Sequence, residues 1–330
     1  LYKLYEDGNI IINDSKGNII IYSIKKEIII SKFNFYKKKY KKFKKDLNLI
    51  IENNIIFAAD NLGFIYAYDY KKNKVIWAKN YKIPFSSNFK ISKNKLIISN
   101  KLNNLYILNK NNGDLIKLIP TENTQIKNEF KNNLSIKNDN LFFLNSFGSL
   151  YSVNLNTMRI NWFNNFNQSV DLSPSNLFVG NIIVGDEDEI IISNNTDTYF
   201  IDLMKGSTNK KFNFTSSIRP VVINRTTFFL TDSNFLIAVN MNEKEIIYSY
   251  DISKIDEISD QIQKSNIYKD LMIINNKIYI FLKNSYVLNF SLDGQFLGFY
   301  KLPSKIQSSP IIIDRSIIYL NNKNKLIILD

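Results

Sequence analysis

The sequence predicts an all-β chain of about eight repeats, and three observations predict it. Short apolar runs rich in β-branched and aromatic residues are bounded by Asn, Asp, Lys or Gly: KLIIS at residues 95–99, NLFFL at 140–144, KIYIF at 277–281 and SIIYL at 316–320. Helical spacing is confined to residues 252–262, where Ile252, Ile255, Ile258 and Ile262 suggest one short helix or loop insertion. The third observation is that the strands recur at a nearly constant interval.

The recurrence is legible residue by residue. GFIYAYDYKKNKVIW from Gly63 and GSLYSVNLNTMRINW from Gly148 align without gaps, pairing Tyr66 with Tyr151, Asp69 with Asn154 and Trp77 with Trp162 at a distance of 85 residues. Midway, residues 103–117 (NNLYILNKNNGDLIK) supply a third copy, with Tyr106 and Asn109 in register and Gly113 at the turn, so the unit is about 42 residues. Pairs of apolar strands around a polar turn begin near Asn9, Asn54, Lys95, Asn140, Glu189, Thr226, Lys277 and Ser316. Several follow a Ser/Pro-bearing strand: SVDLSPSNLFV at 169–179, SSIRPVVI at 216–223 and SSPIIID at 308–314. Four short strands per unit, repeated eight times, is the arithmetic of an eight-bladed β-propeller of four-stranded antiparallel blades. It accounts for residues 1–330 as a single domain; seven blades is the alternative if the ragged fifth unit is dismissed. The last unit stops at Asp330, in register with Asp69, before a fourth strand, while residues 1–7 can form the first strand of unit one. The closing outer strand is therefore expected upstream of Leu1, as is any signal peptide or lipid-anchoring cysteine.

Composition narrows the chemistry. An apolar fraction of 45% with 22% charged residues suits a packed core, only 10 Gly and 6 Pro leave little for flexible linkers, and no apolar run is long enough to span a bilayer as a helix. The chain has no His and no Cys, which excludes Ser-His-Asp and Cys-His nucleophilic chemistry, His- or Cys-ligated zinc and disulfides. No catalytic, cofactor-binding or metal-ligating residue is assigned. The formal charge of +13 is almost all lysine: 39 Lys stand against 4 Arg, beside 54 Ile, 49 Asn and 5 Ala. That skew is the one an AT-rich coding bias produces. Nucleic-acid binders use the guanidinium fork as well, so no nucleic-acid partner is expected.

Two local features stand out. Gly185-Asp186-Glu187-Asp188-Glu189 is the one dense acidic run, and adjacent carboxylates on a strand-to-strand turn read as a solvated turn. The stretch from Tyr36 to Lys45 carries Lys37, Lys38, Lys39, Lys41, Lys42, Lys44 and Lys45 interleaved with Tyr40 and Phe43, which suits contact with an anionic surface or a plain lysine-rich loop between units one and two.

The unit formed by a Ser-Pro strand, an Ile-rich strand, Gly63-Phe64-Ile65-Tyr66-Ala67-Tyr68-Asp69 and then Val75-Ile76-Trp77 resembles the quinoprotein-like (pyrroloquinoline-quinone-type) propeller repeat over essentially the whole chain. A chain of this length without an added domain resembles the outer-membrane assembly factor B lipoproteins. That resemblance implies a non-enzymatic scaffold on the periplasmic side of the outer membrane, held through an upstream lipid anchor and partnered by the barrel insertase of the β-barrel assembly machinery. It implies partner contacts in two loops, here carrying Val170, Asp171 and Leu172, and Thr215, Ser217 and Arg219; the Leu-rich, Arg-bearing motif of the first and the acidic residues of the second are missing. Gly63, Tyr66, Trp77, Gly148, Tyr151 and Trp162 are expected to be structural, with both Trp residues packing between blades. The quinone-dependent dehydrogenases of the same fold are longer and use a Trp floor, a calcium ion and, in many members, a vicinal disulfide. The alternatives to the scaffold are a quinone- or other ligand-binding propeller and a cytoplasmic WD-like scaffold.

Overall fold

Asn, Asp and Gly at regular intervals cut the β-branched runs into short strands, and each strand turns back on its predecessor as an antiparallel hairpin. In the computed structural model, residues 2–3, 8–36, 40, 42–122, 131–167, 183–185, 188–216, 218–256, 267–313 and 316–329 are described. They fall into two compact units, Leu1–Val179 and Gly180–Asp330.

The first unit holds four four-stranded sheets. Blade one comprises β1 (Tyr2–Lys3), β2 (Asn9–Asn13), β3 (Asn18–Ser23) and β4 (Ile28–Asn34); blade two comprises β5 (Leu47–Glu52), β6 (Ile55–Asp60), β7 (Phe64–Asp69) and β8 (Lys74–Asn80). Blade three comprises β9 (Lys90–Ser92), β10 (Lys95–Ser99), β11 (Leu105–Asn109) and β12 (Leu115–Ile119); blade four comprises β13 (Asn133–Lys137), β14 (Asn140–Leu144), β15 (Ser149–Asn154) and β16 (Arg159–Asn165). In the second unit, blade five comprises β17 (Val184–Gly185), β18 (Glu189–Ser193), β19 (Thr198–Asp202) and β20 (Thr208–Phe212), and blade six comprises β21 (Val221–Ile223), β22 (Thr226–Leu230), β23 (Phe235–Asn240) and β24 (Glu245–Asp251). Blade seven comprises β25 (Tyr268–Ile274), β26 (Lys277–Leu282), β27 (Tyr286–Ser291) and β28 (Phe296–Lys301), and blade eight has three described strands, β29 (Ile311–Ile313), β30 (Ser316–Leu320) and β31 (Leu326–Leu329). Eight sheets decide against the seven-bladed alternative.

Two expectations are corrected. The prolines of the Ser/Pro-bearing segments stand before the strands rather than within them: Pro220 immediately precedes β21 and Pro310 immediately precedes β29. Proline has no N–H to give a ladder, so it is kept to the strand's start. In blade five the first described strand is Val184–Gly185, beyond the segment 169–179 that was expected to supply it and that lies outside the described residues. The helical spacing from Ile252 begins with a 3-10 turn, Ile252–Lys254, capped by the Asp251 side chain on Ser253 N–H; residues 257–266 lie outside the described residues. Ile252 and Ile255 are buried in the core between blades six and seven.

The core lies between consecutive blades. In the first unit, Ile11 and Ile21 of blade one meet Ile56, Ala58 and Tyr68 of blade two; Phe57 and Ala67 then face Leu96, Ile98 and Leu108 of blade three, and Ile97 and Ile107 face Leu141, Phe143 and Val153 of blade four. The second unit repeats this between blades five and six, six and seven, and seven and eight. Fourth strands carry the exposed edges, alternating open and half-buried positions as in β8 and β16.

Two local devices recur. At the turn between the second and third strands an Asp or Asn side chain accepts backbone N–H groups: Asp14, Asp60, Asn100, Asn145, Asn194 and Asn321 all do so, and Thr231 substitutes its hydroxyl in blade six. Between the third and fourth strands the register shifts by a bulge at the same place in all seven four-stranded blades, as at Ala67/Tyr68 and Ser152/Val153.

Candidate functional site

First strands of neighbouring blades lie side by side, β9 by β13 and β21 by β25, and polar side chains collect at their ends. In the second unit Asp270 on β25 accepts from Ser309, just before β29, and from the Leu271 N–H at 2.9 Å. Burial raises the Asp270 carboxyl above its ordinary value despite these donors and the nearby charges of Lys269 and Arg219. Burial and the Lys283 ammonium push Lys269 in the opposite direction, below its ordinary value. Arg219, exposed just before Pro220, lies close enough for its charge to act on Asp270. Thr215 is half-buried, its hydroxyl donating to the Asn194 carbonyl. Val170, Asp171, Leu172 and Ser217 lie outside the described residues.

The first unit has a counterpart. Glu122, between blades three and four, accepts from Tyr151 Oη at 2.5 Å, Ser149 Oγ at 2.7 Å and Asn145 Nδ2 at 3.0 Å. Partial burial raises this carboxyl, but the three donors outweigh it and hold it below the ordinary carboxylate range. Below it Asn132 Nδ2 donates to Ser99 Oγ at 3.0 Å and to Asn103 Oδ1 at 3.1 Å, and Asn103 reaches Ser146 Oγ at 3.1 Å. Every buried group named here has a partner, so the network fixes loop geometry.

The lysine run has a rigid foot. Tyr36 donates to Asp60 Oδ2 at 2.6 Å, Tyr40 packs edge-on to Phe64, and Lys45 holds its ammonium 5.1 Å from the Tyr36 ring centroid and against the Tyr40 carbonyl. Lys45 is only 3% exposed, which removes it from the proposed anionic contact: the ring and carbonyl that neutralise it come from its own loop. Lys42 and Lys44 are exposed, and Lys37, Lys38, Lys39 and Lys41 lie outside the described residues. The acidic run needs the same correction at one end. Glu189 is buried, taking Lys244 Nζ at 2.5 Å and Asn209 Nδ2 at 2.7 Å; Asp188 is exposed, and Asp186 and Glu187 lie outside the described residues.

The structural repeat residues show how blades are seated. Gly63 and Gly148 adopt φ of +90° and +78° at the turns made by Asp60 and Asn145, and a Cβ on Gly63 would lie 2.8 Å from the Ile83 nitrogen. Tyr66 and Tyr151 are buried. Trp77 crosses from blade two to blade three, donating from Nε1 to the Lys110 carbonyl at 3.0 Å with its ring on Gly113. Trp162 lies 6.0 Å from Phe142 and tilted by 40°, matching Trp77 on Phe57 at 6.1 Å and 41°. The Asx turns and the Glu122 and Asp270 clusters escaped sequence reasoning. An Asp/Asn-x-x-Gly or -Asn spacing at Asp14, Asp60, Asn100, Asn145 and Asn321 was the available signal for the first; the clusters join residues from different blades and left no sequence signal.

Among the described residues no group of three acidic side chains is placed to hold a metal ion. The fold is an eight-bladed β-propeller. Moraxella catarrhalis BamB has a similar structure, with a TM-score of 0.77 and 12% identity over 99% of this chain and 95% of that one. The computationally designed protein Ika8 aligns with a TM-score of 0.72 at 9% identity, covering 98% and 94%. The dihydro-haem d1 dehydrogenase NirN, solved in complex with DHE, aligns with a TM-score of 0.69 at 9% identity, covering 100% of this chain and 72% of that one. The C-terminal WD40 domain of Sif2 is similar as well, with a TM-score of 0.72 at 9% identity. No protein-family model and no curated protein matches the sequence. At these identities the likeness establishes the fold, which scaffolds and enzymes share.

Proposed function

We propose that the chain is a non-enzymatic scaffold, a single propeller whose loops and strand ends dock protein partners, working on the periplasmic side of the outer membrane in β-barrel protein assembly. The observation that carries this reading is the two-way coverage with BamB, 99% of this chain on 95% of that one. The quinoprotein-like repeat supports the same placement, and membrane association through an upstream lipid anchor goes with it. The chemistry of the described clusters agrees with binding: Asp270 with its Ser309 and Leu271 donors, and Glu122 with its three donors, are polar groups held in place by neighbouring blades. Thr215, Ser217 and Arg219, together with Val170, Asp171 and Leu172, are proposed contacts with the barrel insertase. Exposed lysines, among them Lys42 and Lys44, act on association rate and salt dependence more than on affinity.

A binding isotherm between this chain and the periplasmic domains of the barrel insertase from the same organism, at two salt concentrations, tests the proposal. Saturable micromolar-or-better binding that weakens on Arg219→Glu is the expected result. Absence of binding at both salts would remove this partner. A rise in melting temperature on adding pyrroloquinoline quinone with calcium would favour the ligand-binding alternative.

A further inference from the structure

Large apolar side chains that are exposed lie on the outer, fourth strands of the blades, with Phe43 and Met204 the exceptions among the described residues. Phe43 is 56% exposed and sits in the connection from β4 to β5, between Lys42 and Lys44, which are exposed as well. A lone exposed ring is ordinary on a protein surface. This one is distinguished by how its neighbours hold it out and by the charge around it.

The backbone on either side of the ring is fastened. Phe43 N–H donates to the Tyr40 carbonyl at 3.2 Å, and Lys45 N–H donates to the Ser15 carbonyl at 2.9 Å. Asn61, in the β6–β7 turn of blade two, donates from Nδ2 to the Lys44 carbonyl at 3.1 Å and accepts from Asp46 N–H at 3.0 Å. Tyr36 and Lys45 are turned inward, the one onto Asp60 and the other against the Tyr36 ring. Lys42, Phe43 and Lys44 are therefore presented on a fixed base, and a tip ordered beforehand loses less conformational entropy on binding.

Charge says what the tip meets. Turns between second and third strands lie at the same end of these antiparallel sheets as the connections from one blade to the next. In those segments of the first unit Lys16, Lys42, Lys44, Lys82, Lys101 and Lys131 stand at the surface, against Asp14, Asp46 and Glu122. Two of the three carboxylates are already engaged: Lys131 lies 3.5 Å from Asp46, and Glu122 takes its three donors. The β4–β5 connection adds Lys37, Lys38, Lys39 and Lys41 in its sequence and has no acidic residue before Asp46. None of these cations is an arginine, and an ammonium pairs with phosphate from any direction without the planar geometry that a guanidinium reads. A ring beside ammonium groups on long flexible stems matches a lipid surface, where phosphates lie outside hydrocarbon.

We propose that the Lys42–Phe43–Lys44 tip docks the propeller on an anionic lipid surface. The Phe43 ring enters the headgroup layer, while the Lys42 and Lys44 ammonium groups stay with the lipid phosphates. The contact stands on this geometry and does not depend on the barrel-assembly partner.

The test is co-sedimentation of the full chain with vesicles of phosphatidylethanolamine and phosphatidylglycerol, compared with vesicles of phosphatidylcholine alone. Binding to the anionic vesicles is expected, weakening as salt rises, with little binding to the neutral ones. Replacing both lysines, Lys42→Ala with Lys44→Ala, should weaken it about twentyfold. Phe43→Ala should weaken it about fivefold and leave the salt dependence unchanged. All three side chains are exposed, so each variant should keep the parent's melting temperature. Phe43→Trp should bind like the parent, with emission that shifts to the blue on the anionic vesicles. Equal binding to phosphatidylcholine, undiminished binding of Phe43→Ala, or an unshifted Phe43→Trp emission on bound vesicles would each overturn the proposal. Tighter binding to poly-glutamate than to the anionic vesicles would assign the tip to an acidic protein and overturn it as well. Insertase binding by Phe43→Ala should be unchanged, so failure of the lipid contact and failure of the barrel-assembly reading are told apart.

Discussion

Blades two, four and six differ from blades one, three and five at one set of cross-strand positions, and the difference shows how identical folds are seated on one another by different means. The former use Phe, a small residue and a ring. The latter use Ile11, Ile21 and Ser31, then Ile97, Ile107 and Lys117, then Ile191, Phe200 and Lys210. Bulk moves from the outer strand to the middle strand, so the sheet keeps its thickness while its outer edge changes from a ring to a hydrophilic side chain. The receiving turns follow the same alternation. Blades three and seven carry Gly113 and Gly294 at positive φ beneath the Trp77 and Tyr248 rings, where blades two, four and six place Asn73, Met158 and Lys244. A glycine is needed where a ring must lie on the backbone; elsewhere a side chain tolerates the left-handed conformation. The 85-residue repeat is thus a two-blade period with a physical cause.

The comparison can be broken most severely at the ring. Trp77→Ala removes the half-buried indole and its hydrogen bond, and should lower unfolding free energy by about 3 kcal/mol in urea titration. Gly113→Ala attacks the same contact from the other side and should lose about 2.5 kcal/mol, since the Cβ meets the Trp77 ring at 2.6 Å. Gly8→Ala, at φ +66° with nothing within 4 Å, should lose only about 1 kcal/mol, isolating the conformational part. Ala67→Ile overfills blade two and should lose about 2 kcal/mol; adding Trp77→Lys, which imitates blade three, should recover about 1 kcal/mol of what the two single changes together remove. Additive losses would show that ring and small residue are not coupled.

A polar contact supplies the smallest effect. Glu122, following blade three, accepts from Tyr151 of blade four, and its carboxyl is held below the ordinary range. A depressed carboxyl binds fewer protons folded than unfolded, so its contribution is full above the ordinary carboxylate value and is lost as pH falls through the folded value. The melting temperature should therefore drop on acidification, and Glu122→Gln should flatten that drop while leaving stability at neutral pH lowered by less than about 1 kcal/mol.

Much of this architecture was legible in the residues. The starts predicted near Asn9, Asn54, Lys95, Asn140, Glu189, Thr226, Lys277 and Ser316 coincide, within a residue, with second strands β2, β6, β10, β14, β18, β22, β26 and β30. The reason is local: β-branched alternation and Asx or Gly turns act between residues a few positions apart, so they are written in consecutive letters. Site residues were far less legible. Lys45 sits in a run of identical letters with Lys42 and Lys44, yet one is buried under Tyr36 and two are exposed. Glu189 ends an acidic run and still turns inward to Lys244, 55 residues away.

By itself, then, the sequence determined the strands, their turns and their eightfold recurrence, because short-range sterics and hydrogen bonding set them. Tertiary structure alone decided which charges are buried, which ring grips which turn, and where the Tyr248 hydroxyl is buried without a partner. Those outcomes depend on the free energy of removing a group from water, and that is set by the neighbouring blade that covers it rather than by the residues beside it in the chain.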